Sequence, residues 1–235
     1  GASGIIALAL TALLFRLRIP YTGAGREGKT NLGQDLQAFK ALFSNRLIIT
    51  TAALEGAVLF AYGTFETFLP LYALAGGISA YWIGVFLAAQ IITLAFTKPF
   101  MGRFSDRHGR RPQIIIGGLA GAVSVGILPL FSSFFPLLAV SVLFGLSLSV
   151  VTSATSAFIA DSSSRSSRGS AMGILGSVMD VGHTAGPLVS GVVAAYAGLE
   201  KSFIGASLIL FLVALLFLAI VGTKRDRGEK PLPAG

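Results

Sequence analysis

The sequence predicts an all-α integral membrane protein: a six-helix bundle preceded by the end of an earlier helix and a basic linker. Three observations lead there. Mean hydropathy is +0.80, with 54% of residues hydrophobic and 12% charged, which is too apolar for a water-soluble domain of 235 residues. Six apolar runs each reach the roughly 20 residues that a helix needs to cross a bilayer. The basic residues lie between these runs, and of the 18 Lys and Arg all but Lys201 fall on turns that belong to one side. A net charge of +8 would suit a nucleic-acid binder, but this placement makes the charge a topology signal, and no nucleic-acid partner is expected. The absence of cysteine excludes disulfides and thiolate metal sites. With two histidines in the chain, no metal or cofactor is expected.

Taken in order, residues 1–17 are apolar and run into Arg16 and Arg18, as the end of a spanning helix would at a basic surface. Residues 18–46 form a polar linker in which Leu32, Leu36, Phe39 and Phe43 recur at helical spacing, the pattern of an amphipathic helix in the membrane interface. The same linker contains Gly23-Ala24-Gly25-Arg26-Glu27-Gly28-Lys29-Thr30, a literal match to a phosphate-binding loop. Such a loop works only between a buried strand and a helix with a sheet behind it, and no room remains for them before the next span. The stretch therefore reads as a flexible basic linker. The bundle, residues 47–222, divides into spans at 47–75, 81–100, 112–130, 136–160, 169–197 and 203–222, and a charged tail follows over 223–235. The charge asymmetry predicts that the linker, the turn after the second span and the tail are cytoplasmic, in a plasma or inner membrane.

That turn carries the densest charge in the chain, Gly102-Arg103-Phe104-Ser105-Asp106-Arg107-His108-Gly109-Arg110-Arg111. So many guanidinium groups cannot enter hydrocarbon cheaply, and Gly102 and Gly109 would permit a tight reversal. The pattern Gly-x-x-x-Asp-Arg-x-Gly-Arg-Arg resembles the signature loop of the major facilitator superfamily, found between the second and third helices of each six-helix half. A truncated helix, a long linker, six spans and a tail are similar to the carboxyl-terminal half of such a transporter, from the end of helix 6 through helices 7 to 12. The resemblance implies a charge cluster of Asp106 and Arg110 with Asp161, at the end of the fourth span, with Arg168 nearby. This cluster would gate the conformational change rather than touch substrate. In the fifth span, Gly173, Gly182, Gly186, Pro187 and Gly191 follow a glycine-proline motif that the family carries in helix 5 of many proton-coupled antiporters, except that Ser190 replaces one glycine. Physically these residues allow close helix packing and a bend.

Ionisable groups inside spans are expensive and therefore point to function. The first span holds Glu55 and Glu66, eleven residues apart and so within about 20° of one face, with Tyr62 and Gly63 beside it. The fifth holds Asp180 and His183, neighbours at i and i+3. Both pairs could line a central aqueous cavity and bind a cation or the coupling proton, since an unpaired carboxylate at that depth must be protonated or coupled to a bound cation. Gln90 is a candidate polar contact in the same cavity. The hydroxyls of the fourth span read mainly as helix joiners. The sequence lacks Gly-x-Ser-x-Gly and His-Glu-x-x-His, so the expectation is a secondary active transporter of a small molecule and not an enzyme. Transport is expected to be proton-coupled, with drug or metabolite efflux as the direction, and the amino-terminal half and the lipid bilayer as partners. A non-transporting receptor or structural protein on the same fold is the alternative.

Overall fold

The computed structural model describes residues 46–163 and 167–225, with side chains to residue 220. Six α-helices account for nearly all of it: α1 (Arg46–Ala75), α2 (Ala80–His108), α3 (Arg110–Ile127), α4 (Phe134–Asp161), α5 (Arg168–Ala197) and α6 (Leu199–Arg225). A 3-10 turn, Leu128–Leu130, extends α3. The expected end of an earlier helix, the amphipathic linker segment, the phosphate-loop look-alike and most of the tail lie outside the described residues.

Five helices, all but α5, are long and apolar enough to cross a membrane. α5 has 30 residues and so the required length, but Asp180, His183 and its many glycines and serines dilute its hydropathy. The six expected helices are all present, and α5 alone falls short of the hydropathy of a membrane-crossing window. A helix of this kind is stable only where its polar side meets protein or water rather than lipid.

The second span also runs further than its hydropathy suggests. α2 continues to His108, so the charged stretch is a helix end and not a loop, and Gly102 lies inside it with open space around it. Nothing between Phe100 and His108 breaks a helix; Lys98 and Pro99 are already absorbed in it. The reversal falls on one residue, Gly109, at φ +89°, a conformation that costs any residue with a Cβ dearly. Its N–H closes the helix on the Ser105 carbonyl at 3.1 Å, and α3 begins at the next residue.

α1 is the pillar of the bundle. It touches all five other helices, and most of its apolar length is buried within the protein, whereas α2 rests mainly on α4 and leaves most of its surface free. α3 and α6 pair behind α1 and α4, and α5 lies along α1. The core is aliphatic and aromatic, with Phe65 packed on Phe144 at 5.0 Å between ring centres. Because lipid is as apolar as these side chains, association depends on close packing and interhelical hydrogen bonds. The structure supplies such bonds from small hydroxyls. Ser147 donates to the Gly117 carbonyl at 2.6 Å, Ser207 to Ala122 at 2.7 Å and Ser202 to Ser190 at 2.8 Å, while Thr64 and Ser190 share a hydrogen bond of 2.8 Å.

The glycine-proline motif acts at the α1–α5 crossing. A Cβ on Gly182 would overlap the Gly56 carbonyl, and one on Gly186 would overlap that of Phe60. From the other side, Gly63 meets the His183 carbonyl and lies against Pro187, and Gly191 has room only as far as the Phe68 ring, 3.6 Å away. α5 passes through Pro187 as one continuous helix. Gly173 does not share this role: it faces open space, a full turn or more short of the contact.

Candidate functional site

Two polar assemblies stand out, one at the charged end of the bundle and one within its span. At the charged end, the single-residue turn at Gly109 places Arg110 four residues after Asp106 and opposite the end of α4. Its Nη2 lies 3.0 Å from Asp106 Oδ1 and 2.8 Å from Asp161 Oδ2, and its Nε donates to the same Asp161 oxygen at 2.8 Å. One guanidinium thus ties α2, α3 and α4 together. The arginine side chain is 21% exposed and both aspartates 60%, so each ion pair is screened and worth about 0–1 kcal/mol. A bracket of this strength can open without a large cost. Arg110 Nη1 is buried with no hydrogen-bond partner among the described residues.

The other charged residues of the stretch stand outside the bracket. Arg111 lies over the Phe158 ring at 5.9 Å, Arg107 is exposed, and Arg168 donates from Nε to the Ala160 carbonyl at 3.1 Å rather than to Asp161. A cavity of about 370 Å³ opens beside Gly109, Arg110, Arg111, Phe158 and Asp161.

Within the span, Glu55 is fully buried. Its Oε2 accepts a hydrogen bond from the Thr155 hydroxyl of α4 at 2.5 Å, and its Oε1 has no partner among the described residues. The Thr155 hydroxyl also lies 2.8 Å from the Val151 carbonyl, so it sits between a main-chain acceptor and the carboxyl. Glu66 is half-exposed instead and meets His183 of α5, Oε2 to Nε2 at 3.3 Å, with the His183 ring stacked on Tyr62 at 5.1 Å. The two glutamates share an angular position, but eleven residues separate them by about 16 Å along the axis. A different helix stands opposite each, α4 at Glu55 and α5 at Glu66.

The expected Asp180–His183 pair is likewise not formed. His183 turns to Glu66, and Asp180 is exposed without a hydrogen bond or ion pair to a described residue. Gln90 is 1% exposed, packed where α2 crosses Gly145 of α4, with Nε2 unpartnered, so it is a contact between helices and touches no open cavity. Sequence reasoning missed Thr155 as the partner of Glu55, because seven hydroxyls along the fourth span look alike. It also missed Gly56, which the seven-residue interval to Gly63 could have flagged as a second small-residue stripe.

A family model described as Major Facilitator Superfamily matches residues 77–235. The chain is 28% identical over 158 residues to the multi-drug resistance efflux pump PmrA of Streptococcus pneumoniae, covering 66% of this chain and 39% of that protein. It is 30% identical over 155 residues to multidrug resistance protein 2 of Bacillus subtilis, covering 66% and 38%. With the class B tetracycline resistance protein of Escherichia coli, identity is 34% over 152 residues, covering 62% and 37%. The chain therefore spans about two fifths of the length of these relatives. Among solved structures, the POT family transporter PepTSo superimposes with a TM-score of 0.64 at 18% identity, over 81% of this chain and 40% of that one, a likeness of fold.

Proposed function

The chain belongs to the Major Facilitator Superfamily, and on that premise we propose that it forms the carboxyl-terminal six-helix half of a secondary transporter that exports small drug-like molecules by alternating access. The multidrug relatives support the substrate class, and the observation that carries coupling is Glu55. A carboxyl wholly removed from solvent, with one oxygen held by Thr155 and the other unpartnered, is suited to bind a proton in one state and release it in another. Because this half alone buries the group against Thr155, proton release requires α4 to shift from α1 as the halves rock.

In this reading the Arg110 bracket is a conformational latch. It holds the α2, α3 and α4 ends together in the closed state at this end, proposed to be cytoplasmic, and it yields when they part. Glu66, Asp180, Tyr62 and His183 lie on or near the open face between α1 and α5, offering carboxylates and aromatic rings to a lipophilic cation.

The test is accumulation of ethidium in everted vesicles by the protein expressed from its natural gene. Glu55→Gln should abolish uphill accumulation while sparing ethidium counterflow, which needs no net proton movement. If Glu55→Gln and Asp180→Asn both retain full gradient-driven accumulation, neither carboxylate couples transport to protons.

A further inference from the structure

A second cavity lies between the first turns of α1 and α5, apart from the latch. It encloses about 200 Å³, and its walls are aliphatic throughout, among them Ile49, Ala52 and Ala53 of α1, Ile174 and Val178 of α5, and Ile159 of α4. The gap follows from the packing. Gly56 and Gly182 clamp the two helices together above it, and the alanines below carry too little bulk to fill the space that remains. An apolar cavity of about 150 Å³ stays dry and takes up benzene. This one accordingly has room for a short run of methylenes and nothing to hold water. Ile49 and Ala53 are exposed, which leaves its rim open.

The charge at its mouth specifies the ligand further. α1 and α5 run side by side in the same direction, in the register set by Gly56 on Gly182 and Gly63 on Pro187. By that register Arg46 is level with residues 170–172 of α5, so Arg168 stands about 3–6 Å further out at the same end, and both arginines are exposed just beyond the cavity. Among the described residues, Arg168 engages only through its Nε, on Ala160. Neither helix has an acidic residue in its first turn, and both helix N-termini add partial positive charge. The carboxylate at the end of α4, Asp161, is bound by Arg110. Among the described residues, no free carboxylate stands at the mouth to receive the cationic group of a zwitterionic lipid.

We propose that this is a binding site for an anionic phospholipid, with the phosphate between Arg46 and Arg168 and the first methylenes of one acyl chain in the aliphatic cavity. The site does not depend on transport, and its test needs none. The full chain, purified in dodecyl maltoside, is titrated with dioleoyl phosphatidylglycerol or dioleoyl phosphatidylcholine, and bound lipid is counted by native mass spectrometry. One phosphatidylglycerol should be retained with a preference of about thirtyfold over phosphatidylcholine, as two arginines near an anionic group provide. Arg46→Gln with Arg168→Gln should erase the preference. Ala53→Phe, filling the cavity from its open rim, should weaken both lipids with the helical circular dichroism unchanged, and Ile49→Trp serves if that variant does not fold.

Equal retention of the two lipids would overturn the proposal. So would loss of phosphatidylglycerol on arginine replacement but not on filling, the mark of a diffuse surface charge. Displacement by excess inorganic phosphate with filling silent would show a free-anion site instead. Retention of neither lipid would mean that the cavity is taken by the protein itself or by the other half, and would also overturn it.

Discussion

The α1–α5 crossing allows one substitution to be made at two places in the same helix with opposite expected signs. At Gly186, a Cβ would overlap the Phe60 carbonyl and come to 3.1 Å from the Thr64 nitrogen, both main-chain atoms that cannot swing aside. Gly186→Ala must push α1 and α5 apart or strain one of them, a cost of about 1–3 kcal/mol for overpacking. Replacing a mid-helix glycine returns about 0.5–1 kcal/mol of backbone entropy. The net expectation is a loss of about 1–2 kcal/mol. At Gly173 nothing lies within 4 Å of the added carbon, so only the entropic gain remains and Gly173→Ala should stabilise by about 0.5–1 kcal/mol. The two alanine variants should therefore differ by about 2 kcal/mol, more than a factor of ten in the unfolding equilibrium. The single tryptophan, Trp82, packs on Phe134 at 4.7 Å in the distant α2–α4 contact and reports global unfolding by its fluorescence in graded dodecyl sulfate. Equal stability of Gly186→Ala and Gly173→Ala would refute the argument, because it would mean that the helices do not meet main chain to main chain.

Other expectations follow from the polar assemblies. Arg110→Ala leaves Asp106 and Asp161 facing each other without their shared cation, so a cysteine at Ser162 should label faster in the variant, while Arg111→Ala should leave its rate unchanged. Under the proposed latch role, Asp161→Asn and Asp106→Asn should each slow transport with little change in substrate affinity; loss of binding at unchanged accessibility would count against it. Thr155→Val strips Glu55 of its hydrogen-bond donor and should destabilise by about 1–3 kcal/mol in the same dodecyl sulfate titration, with Thr155→Ser restoring most of the loss. For orientation, cysteines at Ser162 and Ser133, both exposed and at opposite ends of α4, should differ in intact cells: an impermeant reagent should reach Ser133→Cys and spare Ser162→Cys. Ser105 is unsuited to this experiment, being buried and donating to the Gly102 carbonyl at 2.8 Å.

The sequence by itself determined the spans, their order and the grouping of basic charge on one side. These depend on the cost of placing polar groups in hydrocarbon, which each residue carries wherever its neighbours are. The resemblance of the charged stretch to a family motif pointed to Asp106, Arg110 and Asp161, which the structure brings together, while Arg107, Arg111 and Arg168 stand outside that bracket. Helix boundaries near charge were less legible. Hydropathy falls at Phe100, but backbone hydrogen bonding has no reason to stop there and runs on to the first residue that must take positive φ, Gly109. Only the tertiary structure decided which polar groups meet. Periodicity places Glu55 and Glu66 on one face, yet Thr155 of α4 receives the first and His183 of α5 the second, because helices that cross at an angle present different neighbours at different depths. The same holds for the glycines of α5: Gly173, Gly182 and Gly186 are alike in the chain, and what separates packing from open space is the position of a carbonyl on another helix, which no local pattern encodes.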